Sequence, residues 1–234
     1  MAYFRRFYPD YRKVHPTMFA AADLAESLDE KLTDSGLPRG DLHHVLCAVA
    51  IALKHDELLH FCIASVKYHD LPTESMYEVL LQSHLFLGFP AMIEALRIAH
   101  QVCPLPQDVS DDKQSESGDH RKSGEELCSQ IYREHYSSLV KFTDRLHPAL
   151  TDWMIEHGYG RVLSRVPLSP QRREIAILSI LMITGYERQL MSHVRGFSNL
   201  GGEPNIVWDI FDIITLFIDQ EQREQRTEIL RQVV

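Results

Sequence analysis

Ser169-Pro170 opens the stretch that constrains this chain most. A Ser at the N-cap bonds a free amide of the first helical turn. Pro suits the position after it, where a missing N–H costs nothing. The residues that follow, to about Thr184, are apolar nearly all round (EIAILSILMIT). A helix with no polar face must be enclosed by the rest of the protein. The longest apolar run, 175–186, is interrupted by Ser and Thr and falls far short of the roughly 20 residues a membrane-spanning helix needs. The chain is therefore expected to fold around this helix, with nothing crossing a bilayer.

Helical periodicity recurs along the rest of the chain, and no stretch shows the alternation of a strand. Residues 17–33 place Met18, Ala21, Ala22, Ala25, Leu28 and Leu32 at spacings of three and four. Further helices are expected at 42–54, with Asp41 as its cap, at 57–68, at 73–87 and at 91–101. Asp70-Leu71-Pro72 and Gly88-Phe89-Pro90 are the breaks between them. In the second half helices are expected at 125–144, 148–157 and 188–200, then a last pair from Asn205 to the charged end. Gly158-Tyr159-Gly160 and Gly201-Gly202 read as interruptions. The fold class is all-α.

One segment has a different composition. Between Pro104 and Gly124 the chain is rich in Ser, Asp, Pro and Lys and nearly devoid of large apolar residues. Such a segment buries too little surface to offset its ordering entropy. It divides the chain into a first unit, 1–103, a linker, 104–124, and a second unit, 125–234. The net charge of -9 disfavours nucleic acid or an anionic membrane as partner. Cys47, Cys62, Cys103 and Cys128 form no C-x-x-C pair, and MAYFRRFYPDYRK lacks the apolar region of a secretory leader. Free thiols in a reducing cytoplasm are the expectation.

The two units correspond at one constant offset, the one that lays Asp70 on Gly201. HDELLHFCIASVKYHDLPTESMYEVLL then lies on YERQLMSHVRGFSNLGGEPNIVWDIFD. Glu78 falls on Asp209, and Leu42-His43-His44 on Arg173-Glu174-Ile175. The likeness is one of pattern, since few residues are identical.

GYGRVLSRVPLSPQRREIAILSILMITGYERQLMSHVRGFSNLGGEP in the second unit resembles the gamma-carboxymuconolactone decarboxylase family. EVLLQSHLFLGFPAMIEALRIA in the first is similar to that family's E-v-l-l-q stretch and the G-x-P element that follows it. Together the two pieces cover 69 of the 234 residues. The resemblance implies a pair of tandem helical units, with no cofactor, acting on a small lactone or organic acid. Family subunits pair into rings, commonly hexamers, so a fused chain is expected to form a homotrimer. Two elements depart from the family pattern. The second unit has IDQEQ in place of G-x-P, and the first lacks the family's Glu and His. Related alkylhydroperoxidase-D-like proteins carry C-x-x-C-x-x-x-H after a Glu. Here Glu174 and His193 keep the outer positions, but Tyr186 and Gln189 replace the cysteines. The first unit has His43, His55, Leu58 and Cys62 at these four places. Neither unit has a thiol pair for disulfide exchange, so peroxidase chemistry is not expected.

On this reading Glu174 and His193 are the catalytic acid–base pair. Imidazole titrates where a proton must be delivered to the carbon that loses its carboxylate, and a nearby carboxylate orients it. Arg195, Arg173, Tyr186 and Glu78 are the substrate-binding candidates, the guanidiniums because they suit a carboxylate. Each has a plainer alternative: a satisfied buried His–Glu pair, surface arginines paired with Glu187 or Glu203, a carboxylate at a helix start, and packing. His43, His55 and Cys62 carry metal-ligand chemistry without metal-site spacing, so no metal is expected. A non-catalytic scaffold or small-ligand binder is the competing function. It predicts that Glu174 and His193 are packed shut, whereas an enzyme needs them to share a cavity.

Overall fold

In the computed structural model, which describes residues 2–14, 21–105 and 119–234, the Ser169 side chain accepts a bond from the Arg172 amide at 3.3 Å. That bond opens α10, Pro170–Thr184. Every side chain of α10 from Arg173 to Met182 is buried. Its closest large partner is α3, Arg39–Leu53, which is buried from Asp41 to Ile51. Two apolar helices thus enclose each other at the centre, each supplying the surface the other needs. Truncating Leu46 or Leu178, both fully buried, should cost about 2–5 kcal/mol in lost transfer energy and residual cavity.

The other helices surround this pair. In chain order the first half holds α1, Tyr3–Val14; α2, Ala21–Asp34; then, after α3, α4, Asp56–Tyr68; α5, Thr73–Gln82; and α6, His84–Val102. The second half holds α7, His120–Tyr132; a 3-10 turn, Arg133–His135; α8, Tyr136–Leu146; α9, Pro148–Asp152; and a π-helix, Trp153–Leu163. After α10 come α11, Glu187–Asn199; α12, Pro204–Ile214; and α13, Gln220–Arg231. No strand occurs among the described residues. Among the same residues no single helix is long and apolar enough to cross a membrane, and α5 and α6, apolar enough as a pair, meet at 116°.

The backbone repeats with the sequence offset. The shift that lays Asp70 on Gly201 also lays α3 on α10 and α4 on α11, end for end. Lys54 and Gly185, the C-caps of α3 and α10, are both left-handed, with φ of 54° and 79°. Asp70 and Gly201 are left-handed too, at 52° and 84°. The first half therefore holds non-glycine residues in a conformation that the second assigns to glycine.

Several local expectations need correction. Asp41 does not cap α3, whose N-cap is Pro38 with no side-chain bond. Asp41 lies inside the helix, buried, with Arg172 Nε at 2.9 Å. Residues 106–118 of the expected linker, and Thr17 and Met18, lie outside the described residues. The linker's far end is helical instead: Asp119 caps α7 by accepting from the Lys122 amide. The expected helix 125–144 is interrupted at Arg133, which has φ 47°. The helix expected over 73–87 breaks at Ser83, whose hydroxyl bonds the Leu80 carbonyl at 2.7 Å. The break expected at Gly88 is real, since that residue has φ 81° and ψ 164° within α6.

Gly158-Tyr159-Gly160 does not interrupt the chain but runs inside the π-helix. Its glycine serves packing. A Cβ on Gly160 would lie 1.8 Å from the His120 carbonyl oxygen, and one on Gly124 would lie 2.0 Å from that of Ile155. α7 and the π-helix therefore meet backbone to backbone.

Candidate functional site

Glu174 stands in the second turn of α10, and His193 midway along α11, which packs beside it. His193 Nδ1 and Glu174 Oε2 are 2.8 Å apart, with residue exposures of 4% and 1%. A carboxylate acceptor on this nitrogen places the ring proton at Nδ1. Nε2 then faces away from Glu174 and takes no hydrogen-bond partner among the described residues. Beside the pair, Gly196 makes room for Ile131: a Cβ there would meet Ile131 Cγ2 at 2.8 Å, while Glu174 Oε1 at 3.7 Å would be in ordinary contact.

The surroundings are aromatic and hydroxylic. Phe86, from α6 of the first half, presents its ring edge-on to His193 at 5.5 Å. Ser192 Oγ donates to the Tyr132 hydroxyl at 3.3 Å, and the Tyr159 hydroxyl donates to it at 3.2 Å. Burial pushes the Tyr132 and Tyr159 phenols above their ordinary range, and the nearby Glu174 charge adds to the effect. Both phenols stay protonated at neutral pH. Burial likewise raises the Cys128 thiol to about 12, which leaves it unreactive as a nucleophile. Spacing along the chain does not reveal these hydroxyls, because Tyr132, Tyr159 and Ser192 come from three separate elements.

The other candidates do not join this pair. Arg173 and Glu78 bind each other: Arg173 donates from an Nη to Glu78 Oε2 at 2.8 Å. Arg165 Nε approaches both oxygens of the same carboxylate at 3.0 and 3.1 Å, and Gln82 bonds Arg173 in both directions. Burial draws the Arg173 guanidinium below its ordinary pKa, and the Glu78 charge works against that shift. This network ties α5 to α10 and to the loop before it. Tyr186 is 62% exposed at the start of α11. Arg195 is two residues beyond His193, hence roughly 200° round the helix, and is exposed.

The first half carries no copy of the pair. His43, at the position of Glu174, bonds Ser65 Oγ through Nε2 at 3.1 Å and the Arg39 carbonyl through Nδ1 at 2.8 Å. Burial pushes its pKa down to about 4, so it is neutral at pH 7. Cys62, at the position of His193, is fully buried against Cys47, and burial raises its thiol well above the ordinary range. His55 caps α4, its Nδ1 accepting from the Leu58 amide. No group of three or more metal-ligating side chains occurs among the described residues.

Cavities of 300 to 620 Å³ open on the surface, and neither Glu174 nor His193 lines them. One of about 440 Å³ lies at the C-terminal end of α3, lined by Ala50, Ile51, Lys54, Leu59, Pro90 and Ala95 among others. Its counterpart in the second half is filled. There Arg226, which the repeat lays on Ala95, donates from Nε to the Met182 carbonyl at 3.0 Å and lies across Gly185. No family model matches the chain, and no curated protein matches it significantly.

Proposed function

We propose that the chain is a carboxymuconolactone-decarboxylase-like protein that processes a small lactone or organic acid through the Glu174–His193 pair. The observation that carries this reading is the 2.8 Å bond from Nδ1 to a buried carboxylate, with Nε2 left free. A base held by an orienting group on one nitrogen and open on the other is the arrangement that general acid–base catalysis uses. In a decarboxylation the bond to the departing carbon dioxide breaks and its electron pair stays on the substrate carbon. Protonated His193 then delivers the Nε2 proton to that carbon, and Glu174 stabilises the imidazolium beforehand. Phe86, whose ring centroid lies 5.5 Å from that of His193, serves in this reading as a gate that substrate displaces to reach Nε2. The second half alone has the pair, which gives one working site per chain.

A ring-forming homotrimer accompanies this reading. Phe142, Leu146, Leu150 and Trp153 support it, being 46%, 61%, 38% and 70% exposed along α8, α9 and the start of the π-helix. Large exposed apolar groups in sequence proximity are characteristic of contact surfaces. The four free cysteines suit a reducing cytoplasm.

One observation favours a second reading, a non-catalytic scaffold or small-ligand binder: the pair lines none of the four cavities of 300 to 620 Å³. Carbon dioxide release from gamma-carboxymuconolactone separates the two. Turnover by the parent, lost in folded His193→Ala and Glu174→Gln proteins, supports the enzyme. Absence of turnover across a panel of small lactones and acids moves the assignment to the binder.

A further inference from the structure

A second region of the molecule has the chemistry of a ligand site and takes no part in the acid–base pair. A cleft of about 620 Å³ opens between the start of α1, the start of α3 and the end of α4. Arg5, Arg6, Arg39, Tyr3, Tyr68 and His69 line it, with no carboxylate among the lining residues. That is a local reversal of charge on a chain whose net charge is -9. Arg5 is engaged by Glu26. Arg6 and Arg39 are exposed and make no ion pair among the described residues. Arg39 is held in place by the Tyr3 ring, with its guanidinium carbon 4.9 Å from the centroid. Tyr3 in turn stacks on His69 at 3.7 Å, and His69 meets Tyr68 edge-on at 4.9 Å.

Two polar atoms in this wall have no partner. The Tyr3 hydroxyl and His69 Nε2 are both sealed from solvent and unbonded, and Tyr3 as a whole is only 7% exposed. Buried polar atoms without partners are rare in folded proteins. α3 begins at Arg39 with no side-chain cap on its first amides, whereas α10 at the same register is capped by Ser169. The first turn of α3 already carries the Asp41 carboxylate, so the positive charge of the cleft comes from Arg6 and Arg39.

We infer that this cleft is a binding site for the oxyanion group, phosphate or carboxylate, of a small molecule, held by Arg39 and Arg6. Arg39 stands preoriented over Tyr3, so little side-chain freedom is lost when it engages the anion. The stacked rings offer a flat wall to the body of the ligand. The small size of the cleft and the overall negative charge speak against a polyanionic macromolecule.

The test is an amide-resolved NMR titration of the full chain at low ionic strength, with inorganic phosphate in one arm and tricarballylate in the other. Saturable shifts at Tyr3, Arg39, Tyr68 and His69 are expected in at least one arm, and the arm that saturates first identifies the anion class. Arg6→Gln and Arg39→Gln should each weaken binding by about tenfold, the loss of one charge-assisted contact. Lys122→Gln, the same charge change at a distant exposed site, should leave it unchanged. Tyr3→Phe keeps the ring under Arg39 and removes only a hydroxyl sealed from the cleft, so it should leave binding unchanged and the melting temperature equal or higher. The proposal is overturned by an absence of saturable shifts at these four residues in both arms. It is equally overturned if Lys122→Gln weakens binding as much as the two arginine variants.

Discussion

Glu78→Gln tests whether the Glu78–Arg173 contact is architecture or part of a substrate site. Glu78 and Arg173 are 3% and 1% exposed, and they meet at 2.8 Å. Removing the carboxylate charge leaves the Arg173 guanidinium buried with only neutral acceptors, Gln82 Oε1 at 3.1 Å and the Arg165 carbonyl at 2.9 Å. The Arg165 cation, formerly shared on the same carboxylate, is then an uncompensated like charge beside it. Breaking one partner of a buried pair costs about 3–5 kcal/mol, mostly as the desolvation of the stranded charge. That is a large share of the roughly 5–15 kcal/mol by which a native domain is stable. Equilibrium unfolding in urea should show the full loss as a lower midpoint at unchanged slope. Replacing both partners with Leu and Met removes the charge with its partner, so the double variant should be more stable than Glu78→Gln alone. A loss below about 1 kcal/mol in Glu78→Gln, the size expected of an exposed pair, would refute the reasoning and return both residues to the list of substrate contacts.

Three more outcomes rest on the same geometry. His43 has a folded pKa near 4 against 6.5 unfolded, so the unfolded state binds the extra proton between those values. Its contribution, roughly 3 kcal/mol, is present above pH 6.5 and lost as pH falls toward 4, and His43→Gln should flatten the urea midpoint across that window. Gly160→Ala and Gly124→Ala each force a methyl into a backbone oxygen at 2.0 Å or less, and each should lose about 1–3 kcal/mol or more in thermal unfolding. An unshifted melting temperature in either would show that α7 and the π-helix can move apart. Phe86→Ala should speed carbon dioxide release if the ring gates His193 Nε2, and an unchanged rate would remove the gate from the mechanism.

The parts of the fold that sequence can reveal are those encoded locally. The start of α10 is written in Ser169-Pro170, and its burial in the absence of a polar face. The constant offset between the halves reappears in helix ends and in the left-handed pair Asp70 and Gly201. The Glu174–His193 contact is reachable only through a family resemblance, because periodicity alone gives no distance between helices. Glu78 and Arg173 are far apart in the chain, and neither spacing nor composition indicates that they meet. Gly158 and Gly160 read as a break because glycine usually marks one. Here close backbone packing against α7 is the stronger demand, and the helix widens to a π form instead of ending. α1 escapes the periodicity reading although Phe4, Phe7, Tyr8 and Tyr11 recur at helical spacing, all buried on one face. Pro9 within it disguises the pattern.

The central claim is that Glu174 holds His193 in one tautomer with Nε2 free to move a proton. Long-range proton–nitrogen NMR of the His193 ring tests it directly. The account predicts a proton on Nδ1 that is protected from solvent exchange, no protected proton on Nε2, and loss of that protection in Glu174→Gln. A ring proton found on Nε2, with Nδ1 unprotonated, would contradict it.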